Sequence, residues 1–489
     1  MSADRDENHY DYDVIVVGAG VAGASAVHHL LQDDLCFPMS ASPSSSKTTA
    51  RPTKDFIRIL VVDAGPAPGE GCDGRKSGSA TMKHGPISKI KMMTQVFACD
   101  SSEFVKHHGM DGARQYMQAT KAGIQFQKDI AKLLEQGTGS DNGILSELGS
   151  YYVCPPHQKE ELKAEYEFFR SLGSCCEDVE FVDGETRTMQ DVPGASPDFP
   201  YAIHFPKDAV IDSSEYAKRL LAAAVVQKGV TMRCDAQVAR ILVSSKIAEE
   251  ESEKDPVPRA HASIVLEGSG ETLSARYGVV VATGAMDPLL PELHGLIQPC
   301  YSYLAHVPVE YPDAASVVEE SPNFFTWGYS HDWCFTQGKV RVSGEDHFSA
   351  YKDPHVKERC GRMIVWTRKR YHCSPIDHSG IPQQHGIYSE TPDHVPLVGT
   401  LWEGSPVCYL LGCNAWGQAI LSYCATLVPG LLGFGKVLAT QGQNEFCSLD
   451  ESQREILKLL SIRRYSEHPE LRKKRSLNLR LAANSNCKL

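Results

Sequence analysis

The chain runs to 489 residues, more than one hydrophobic core usually serves, so two interleaved domains are expected. A composition 42% hydrophobic and 22% charged is that of a globular protein in water, and a formal charge of −12 excludes nucleic acid and anionic membrane as the main partner, because phosphate binding needs a basic surface. The 16 cysteines follow no repeated spacing and read as reduced thiols; the vicinal pair Cys175–Cys176 is no metal motif, and with no CxxC or HExxH no metal site is expected.

The first element is "DYDVIVVGAGVAGASAVHHLL", from Asp11 to Leu31. Its β-branched run Val14–Val17 predicts a strand, and Ala22, Ala24, Ala26 and Leu30 at helical spacing predict a helix. Between them stand Gly18, Gly20 and Gly23, with Val21 and Ala22 opening the helix. In such a GxGxxG the first glycine permits the tight turn, the second admits a pyrophosphate to the backbone, and the third lets helix and strand pack closely. Alone, the pattern also fits an ordinary strand-to-helix turn. The second strand, "IRILVVDAG", favours a dinucleotide: it ends in Asp63 and Ala64, and an acid there accepts from both ribose hydroxyls while repelling a 2′-phosphate. The distance from Gly23 to Asp63 is about twice the usual ~20 residues. The Ser/Thr/Pro-rich insertion "CFPMSASPSSSKTTARPTKD" accounts for the excess.

Helices are predicted over Asp111–Gln136 and Gln158–Leu172. The stretch beginning "FPYAIHFPKDAVIDSSEYAKRL" reads as strand, turn, helix and strand, with Asp212 or Ser213 capping the helix that holds Tyr216 to Val226. A charged insertion, "KIAEEESEKDPVPRAH", separates two pairing strands, and "YGVVVATGA" is an all-apolar buried strand that returns to a turn at Thr283 and Gly284. From Leu296 to Val342 the pattern is β-like, and a helix from His355 to Arg370 follows. Residues 404–435 carry no charge and have the length of a membrane span, but Asn414, Gln418, Ser422 and Pro429 interrupt them; they split better into the strand "PVCYLLG", a turn, and a helix from Gly417, so no span is expected. "RRYSEHPELRKKRSLNLR" reads as a solvated helix. The chain closes on Cys487, Lys488 and Leu489, a conservative variant of the Ser-Lys-Leu peroxisomal signal, which implies a peroxisomal import receptor as partner; the alternative is a plain disordered end on a cytoplasmic protein.

In this order, "VIVVGAGVAG", "VVDAG", "GCDGRKSGSA", "AVIDSSEYAKRL", "VVVATGA", "YSETPDHVPLVG" and "VCYLLGCNAWGQAI" resemble the FAD-dependent amino acid oxidoreductase family, which includes D-amino acid, glycine, sarcosine and pipecolate oxidases and related dehydrogenases. The resemblance implies an α/β fold: a doubly wound, Rossmann-like FAD-binding domain with a second α+β domain built on a large antiparallel sheet. Along the chain, 10–100, 201–290 and 386–445 would build the FAD domain, 101–200 a cap region, 291–385 the substrate sheet and 446–489 a helical tail. Gly18, Gly20 and Gly23 would hold the pyrophosphate and Asp63 the adenosine ribose. Arg75, Lys76, Ser77 and Gly78 match the segment that wraps the ribityl chain, with Lys76 where the family has Asn. Val238 falls where a strand sets its backbone against the adenine, though it reads equally as a core residue, and Thr283 and Gly284 match the turn that passes the cofactor.

In "GCNAWGQ", Gly412, Asn414, Trp416, Gly417 and Gln418 would bring a helix N-terminus to the flavin's pyrimidine edge, stabilising the charge that develops as hydride arrives; a glycine-rich turn around a packed Trp416 is the alternative. The family's carboxylate-binding arginine is replaced in "WCFTQGKVRV" by Phe335 and Thr336. Arg341 is the substitute candidate, although strand alternation allows it to face solvent. Tyr388 precedes the turn whose side chains lie over the flavin, and Gly386 stands where members with covalent flavin carry cysteine, which implies non-covalent FAD. The implied reaction is hydride transfer from the Cα of a neutral amine, foremost a secondary amine or D-amino acid, to the flavin, followed by imine hydrolysis. Oxygen is the expected acceptor; the alternatives are a dehydrogenase passing electrons to a quinone or electron-transfer protein, and a non-catalytic flavin-binding scaffold.

Overall fold

The computed structural model describes residues 10–32, 35–36, 57–68, 92–136, 143–184, 187–228, 230–244, 260–284, 289–310, 320–328, 330–336, 338–348, 355–373, 377–440, 443–447 and 449–469. Arg75, Lys76, Ser77 and Gly78, most of both insertions, and the closing Cys487–Leu489 lie outside the described residues.

The β-branched run does form a strand, Tyr12–Val17, and it sits at the centre of a sheet. Ile59–Val62 and Thr272–Val281 flank it in parallel, with Val17 level with both Val62 and Val281. Thr231–Arg233 and Val407–Leu411 extend the parallel set on either side. Alternate residues divide between two cores. Val14, Val16, Ile59, Val61 and Val280 face helices Val21–Leu30, Ser213–Lys228 and Gly417–Cys424; Ile15, Val17, Leu60, Val62 and Val281 face antiparallel strands Val238–Ser244 and His261–Leu266, the segment around Leu290–Ile297, and Tyr465. Burial on both faces is why these strands read as unbroken apolar runs.

The second sheet runs, in spatial order, Gln383–Glu390, Gln298–Pro308, Lys339–Phe348, His331–Thr336, Asn323–Thr326, Ser150–Cys154, Tyr201–Phe205 and Glu180–Val182. Every neighbouring pair is antiparallel except Asn323–Thr326 with Ser150–Cys154. Its strands come from segments 101–200 and 291–385, but Tyr201–Phe205 comes from 201–290, which was expected to build the FAD domain, and Gln383–Glu390 crosses the boundary at 386. One face packs on helix Val356–Arg368 through Val340, Val342, Trp333 and Met363. The other face turns to the first domain, where the ring of Phe325 lies 5.5 Å from that of Trp416.

One helix was not expected: the helical run Ser101–Gln136 is two helices meeting at Gly109, whose φ of +68° is non-helical, so the second begins beside the expected Asp111, while the first, over 101–108 with Phe104 buried, went unread in the polar "VKHH". Asp212 is the cap of Ser213–Lys228, its Oδ1 accepting from Glu215 N at 3.0 Å. No helix among the described residues is long and apolar enough to cross a membrane.

Candidate active site

The carboxyl ends of the parallel strands point to one edge, where open α/β sheets bind ligands. Gly18 follows Val17 there at φ +107°, and a side chain on it would meet the Ala282 carbonyl. Gly23 lies so close to the Gly18 carbonyl that a Cβ would stand 1.9 Å from that oxygen, which is the helix-on-strand contact the third glycine was assigned. Gly20 is different: a Cβ on it would meet nothing within 4 Å. Open space therefore faces the second glycine, at the start of a helix with no side-chain cap, where Val21 and Ala22 form the first turn. Uncapped N–H groups beside open space suit a phosphate.

Asp63 does more than the sequence suggested. Its Oδ2 accepts from Ala19 N at 2.6 Å and its Oδ1 from Gly65 N at 2.5 Å, so it clamps the glycine loop to its own strand while each oxygen keeps a lone pair for a hydroxyl. Beside it, Ala236 N and Asp235 N donate to the carbonyls of Asp63 and Gly65, which brings the start of the strand holding Val238 next to the acid and Ala64. Thr283 follows the Val281 strand end with its Oγ1 buried and unpartnered, and the Gly284 carbonyl accepts from Ser389 Oγ at 3.3 Å.

At the last parallel strand, Gly412 turns at φ +73°, and Asn414 and Ala415 continue in left-handed conformations at +49° and +62°. The Asn414 side chain is consumed locally. Its Oδ1 accepts from Thr391 N and Oγ1 at 2.7 and 3.1 Å, and its Nδ2 donates to the Gly412 carbonyl at 2.7 Å. Asn414 thus shapes the turn, and its Nδ2 keeps a second proton beyond these bonds. Trp416 is buried, and helix Gly417–Cys424 begins without a side-chain cap; Gln418 has its Nε2 buried and unpartnered.

Arg341 does not face solvent. It is 1% exposed on the sheet face opposite the Trp333 core, with Nη2 donating to Asn323 Oδ1 at 3.5 Å and with Nε and Nη1 lacking any partner. Asp332, on the neighbouring strand, is bonded instead by Ser343 Oγ at 2.5 Å. Tyr388 donates to Asp346 Oδ2 at 3.0 Å, with Glu390 Oε1 at 3.2 Å, and burial together with these two carboxylates holds its phenol well above the usual range.

The profile of the FAD-dependent oxidoreductase family DAO matches residues 13–428. The chain belongs to this family. No curated protein matches it at a significant level. Among solved structures it is similar to glycine oxidase from Geobacillus kaustophilus (17% identity, TM-score 0.56, covering 86% of this chain and 94% of that one). It is also similar to L-amino acid deaminase from Proteus myxofaciens in complex with anthranilate (12%, 0.57, 95% and 96%) and L-proline dehydrogenase from P. horikoshii (13%, 0.54, 87% and 94%). At these identities the likeness is one of fold. Membership makes the protein an FAD-dependent oxidoreductase, and its residues fit that cofactor: the open space at Gly20, the uncapped helices at Val21 and Gly417, and the orphaned Thr283 Oγ1 and Gln418 Nε2 lie at or beside the strand ends of one sheet.

Sequence reasoning missed residues whose roles exist only in three dimensions. Arg464, read as part of a solvated helix, is 4% exposed and bound to Asp393 of the "TPDHVP" turn. Cys99 and Glu103, four residues apart, and the distant His394, in no motif, present donor atoms within 4.8 Å of one another.

Proposed function

We propose that the protein oxidises the carbon–nitrogen bond of an amino acid, foremost one with a secondary amine or the D configuration, using non-covalent FAD and oxygen. The observation that carries this reading is the buried Arg341 guanidinium with Nε and Nη1 unpartnered. Arginine keeps its charge, and a buried cation left under-bonded costs several kcal/mol. A substrate carboxylate reaching either nitrogen would satisfy it by a charge-assisted contact. The glycine, L-amino acid and L-proline enzymes of similar fold, named for amino acids, support the same class.

In this reading Gly18, Gly20, Gly23 and the Val21–Ala22 turn hold the pyrophosphate, Asp63 the ribose, and Thr283, Gly284 and Gln418 line the remainder, with Val238 near the adenosine. Bound FAD supplies the two-electron oxidation. Arg341 orients the substrate by its carboxylate, and Asn323 holds the guanidinium in place. Tyr388 stays protonated and donates to acids at the edge of the same sheet face. Gly386, where a cysteine would form the covalent link, leaves the cofactor dissociable.

The test is anaerobic mixing of the yellow holoenzyme with D-amino acids, N-alkyl amino acids and matched amines without the carboxyl group. Flavin bleaching by the carboxylated compounds alone supports the reading; bleaching by none of them removes it. On admitting air, colour that returns with peroxide in step with amine consumption supports oxygen as acceptor, and colour that stays bleached assigns a dehydrogenase. The Cys487-Lys488-Leu489 ending supports a peroxisomal address, where peroxide is disposed of. A reporter carrying the last dozen residues should be punctate with a catalase marker and diffuse once Leu489 is deleted.

A further inference from the structure

Cys99 lies just ahead of the helical run Ser101–Gln136, Glu103 is in that run's first turn, and His394 is in the turn that follows strand Gln383–Glu390. One donor atom from each falls within 4.8 Å of the others. His394 holds φ +59°, an uncommon conformation for a side-chain-bearing residue, and its Nδ1 is buried with no hydrogen-bond partner. Its position is braced: His394 N donates to the Thr391 carbonyl at 3.3 Å, and the adjacent Asp393 is locked by Arg464. We propose that Cys99, Glu103 and His394 form a zinc site, distinct from the flavin site, that ties the Thr391–Pro396 turn to the start of that helical run.

The donor set selects the metal. A thiolate, an imidazole and a carboxylate suit zinc and are poor ligands for magnesium or calcium, which take oxygen. Donors around tetrahedral zinc stand about 3.3–3.8 Å apart, given bonds of about 2.0–2.3 Å, so side-chain shifts of about 1 Å close the site and leave a fourth position for water. On binding, the Cys99 S–H bond breaks, its proton passes to solvent, and the sulfur's electron pair forms the bond to zinc with no change of oxidation state. His107 Nε2, 3.8 Å from Glu103 Oε1, stands close to the set.

Metal content and the coordination shell, read on the FAD-loaded full chain, test the proposal independently of turnover, so a failed substrate assignment leaves it standing. After incubation with zinc chloride and passage over a chelating resin, the protein should retain a single equivalent of zinc. X-ray absorption should show one sulfur at about 2.3 Å with nitrogen or oxygen at about 2.0 Å. The double variant Cys99→Ala/Glu103→Gln should lose that equivalent while keeping its flavin absorbance. Zinc retained equally by the variant, no zinc retained by the unmodified chain, or a shell without sulfur overturns the proposal; the sulfur signal of the unmodified chain decides even if the variant does not fold.

Discussion

Arg464 grips Asp393 through two parallel hydrogen bonds, Nε to Oδ2 at 2.6 Å and Nη2 to Oδ1 at 3.0 Å, with both side chains almost wholly buried. Tyr465 OH adds a third bond to Oδ1 at 2.6 Å, and the remaining guanidinium protons reach the carbonyls of Leu460, Val395 and Pro396. Burial alone would raise the Asp393 carboxyl, but the Arg464 charge and these hydrogen bonds outweigh it and hold the group down to about 2. His108 faces the same acid at 3.6 Å; burial brings it down to about 4, so it does so as a neutral ring at physiological pH. The network fastens the chain's last described helix to the turn that also carries Thr391 and His394.

Its loss should be expensive in stability and visible in pH dependence. Arg464→Met leaves a buried carboxylate unpaired and should cost about 3–5 kcal/mol by denaturant unfolding. In the unmodified protein the folded-state pKa lies below the unfolded value of about 3.9, so the contribution is present in full above about pH 5 and fades as pH falls toward 2, by about 2–3 kcal/mol. In the variant the Asp393 pKa should rise above its unfolded value, reversing the sign, so that stability falls as pH increases through the acid range.

Gly20→Val and Gly23→Ala should separate cofactor binding from folding. A side chain at Gly20 meets only open space, so the variant should fold within about 1 kcal/mol of the parent yet be colourless and refuse added FAD. At Gly23 the same addition collides with the Gly18 carbonyl and should lower stability itself. Yellow Gly20→Val protein would contradict the phosphate assignment.

Arg341→Met should raise KM for a carboxylated substrate by about 10- to 100-fold, the loss of a charge-assisted hydrogen bond worth about 1.5–3 kcal/mol, while a matched amine without the carboxyl group is unaffected. Because Arg341 also offsets the charge of the buried Asp332, the variant should be less stable than the parent in thermal unfolding at neutral pH. Equal effects on both substrates would remove the carboxylate role.

Asn414→Leu breaks three local bonds and puts a leucine at φ +49°, so a loss of about 2–4 kcal/mol is expected together with weakened FAD retention. Gly417→Pro would set a Cβ 2.6 Å from that of Cys413 and should disturb the same turn, so it too should weaken FAD retention, read by FAD titration.

Much of the cofactor side was legible because its rules are local. A β-branched run, three glycines and an acid at a strand end each constrain their own backbone, and the structure brings Gly18, Asp63, Thr283 and Gly412 to one sheet edge through the parallel register of their strands. Alternation along Lys339–Phe348 could not say which face of that strand is buried, because both are: Val340 packs on the helix Val356–Arg368 and Arg341 on the opposite side. The short helix over 101–108, which ends at Gly109, was hidden by its polar sequence.

By itself, the sequence determined the dinucleotide cradle and the family, since both rest on residue types at short spacing, where sterics and hydrogen-bonding capacity act within a few residues. Only the tertiary structure decided that Arg341 is buried and under-bonded, that Asn414 serves its own turn, that Arg464 is the partner of Asp393, and that Cys99, Glu103 and His394 converge. Those relations reach across up to 295 residues of chain or depend on what covers a face, and burial, which sets the worth of every charge and polar group involved, is a property of the packed layers rather than of any segment.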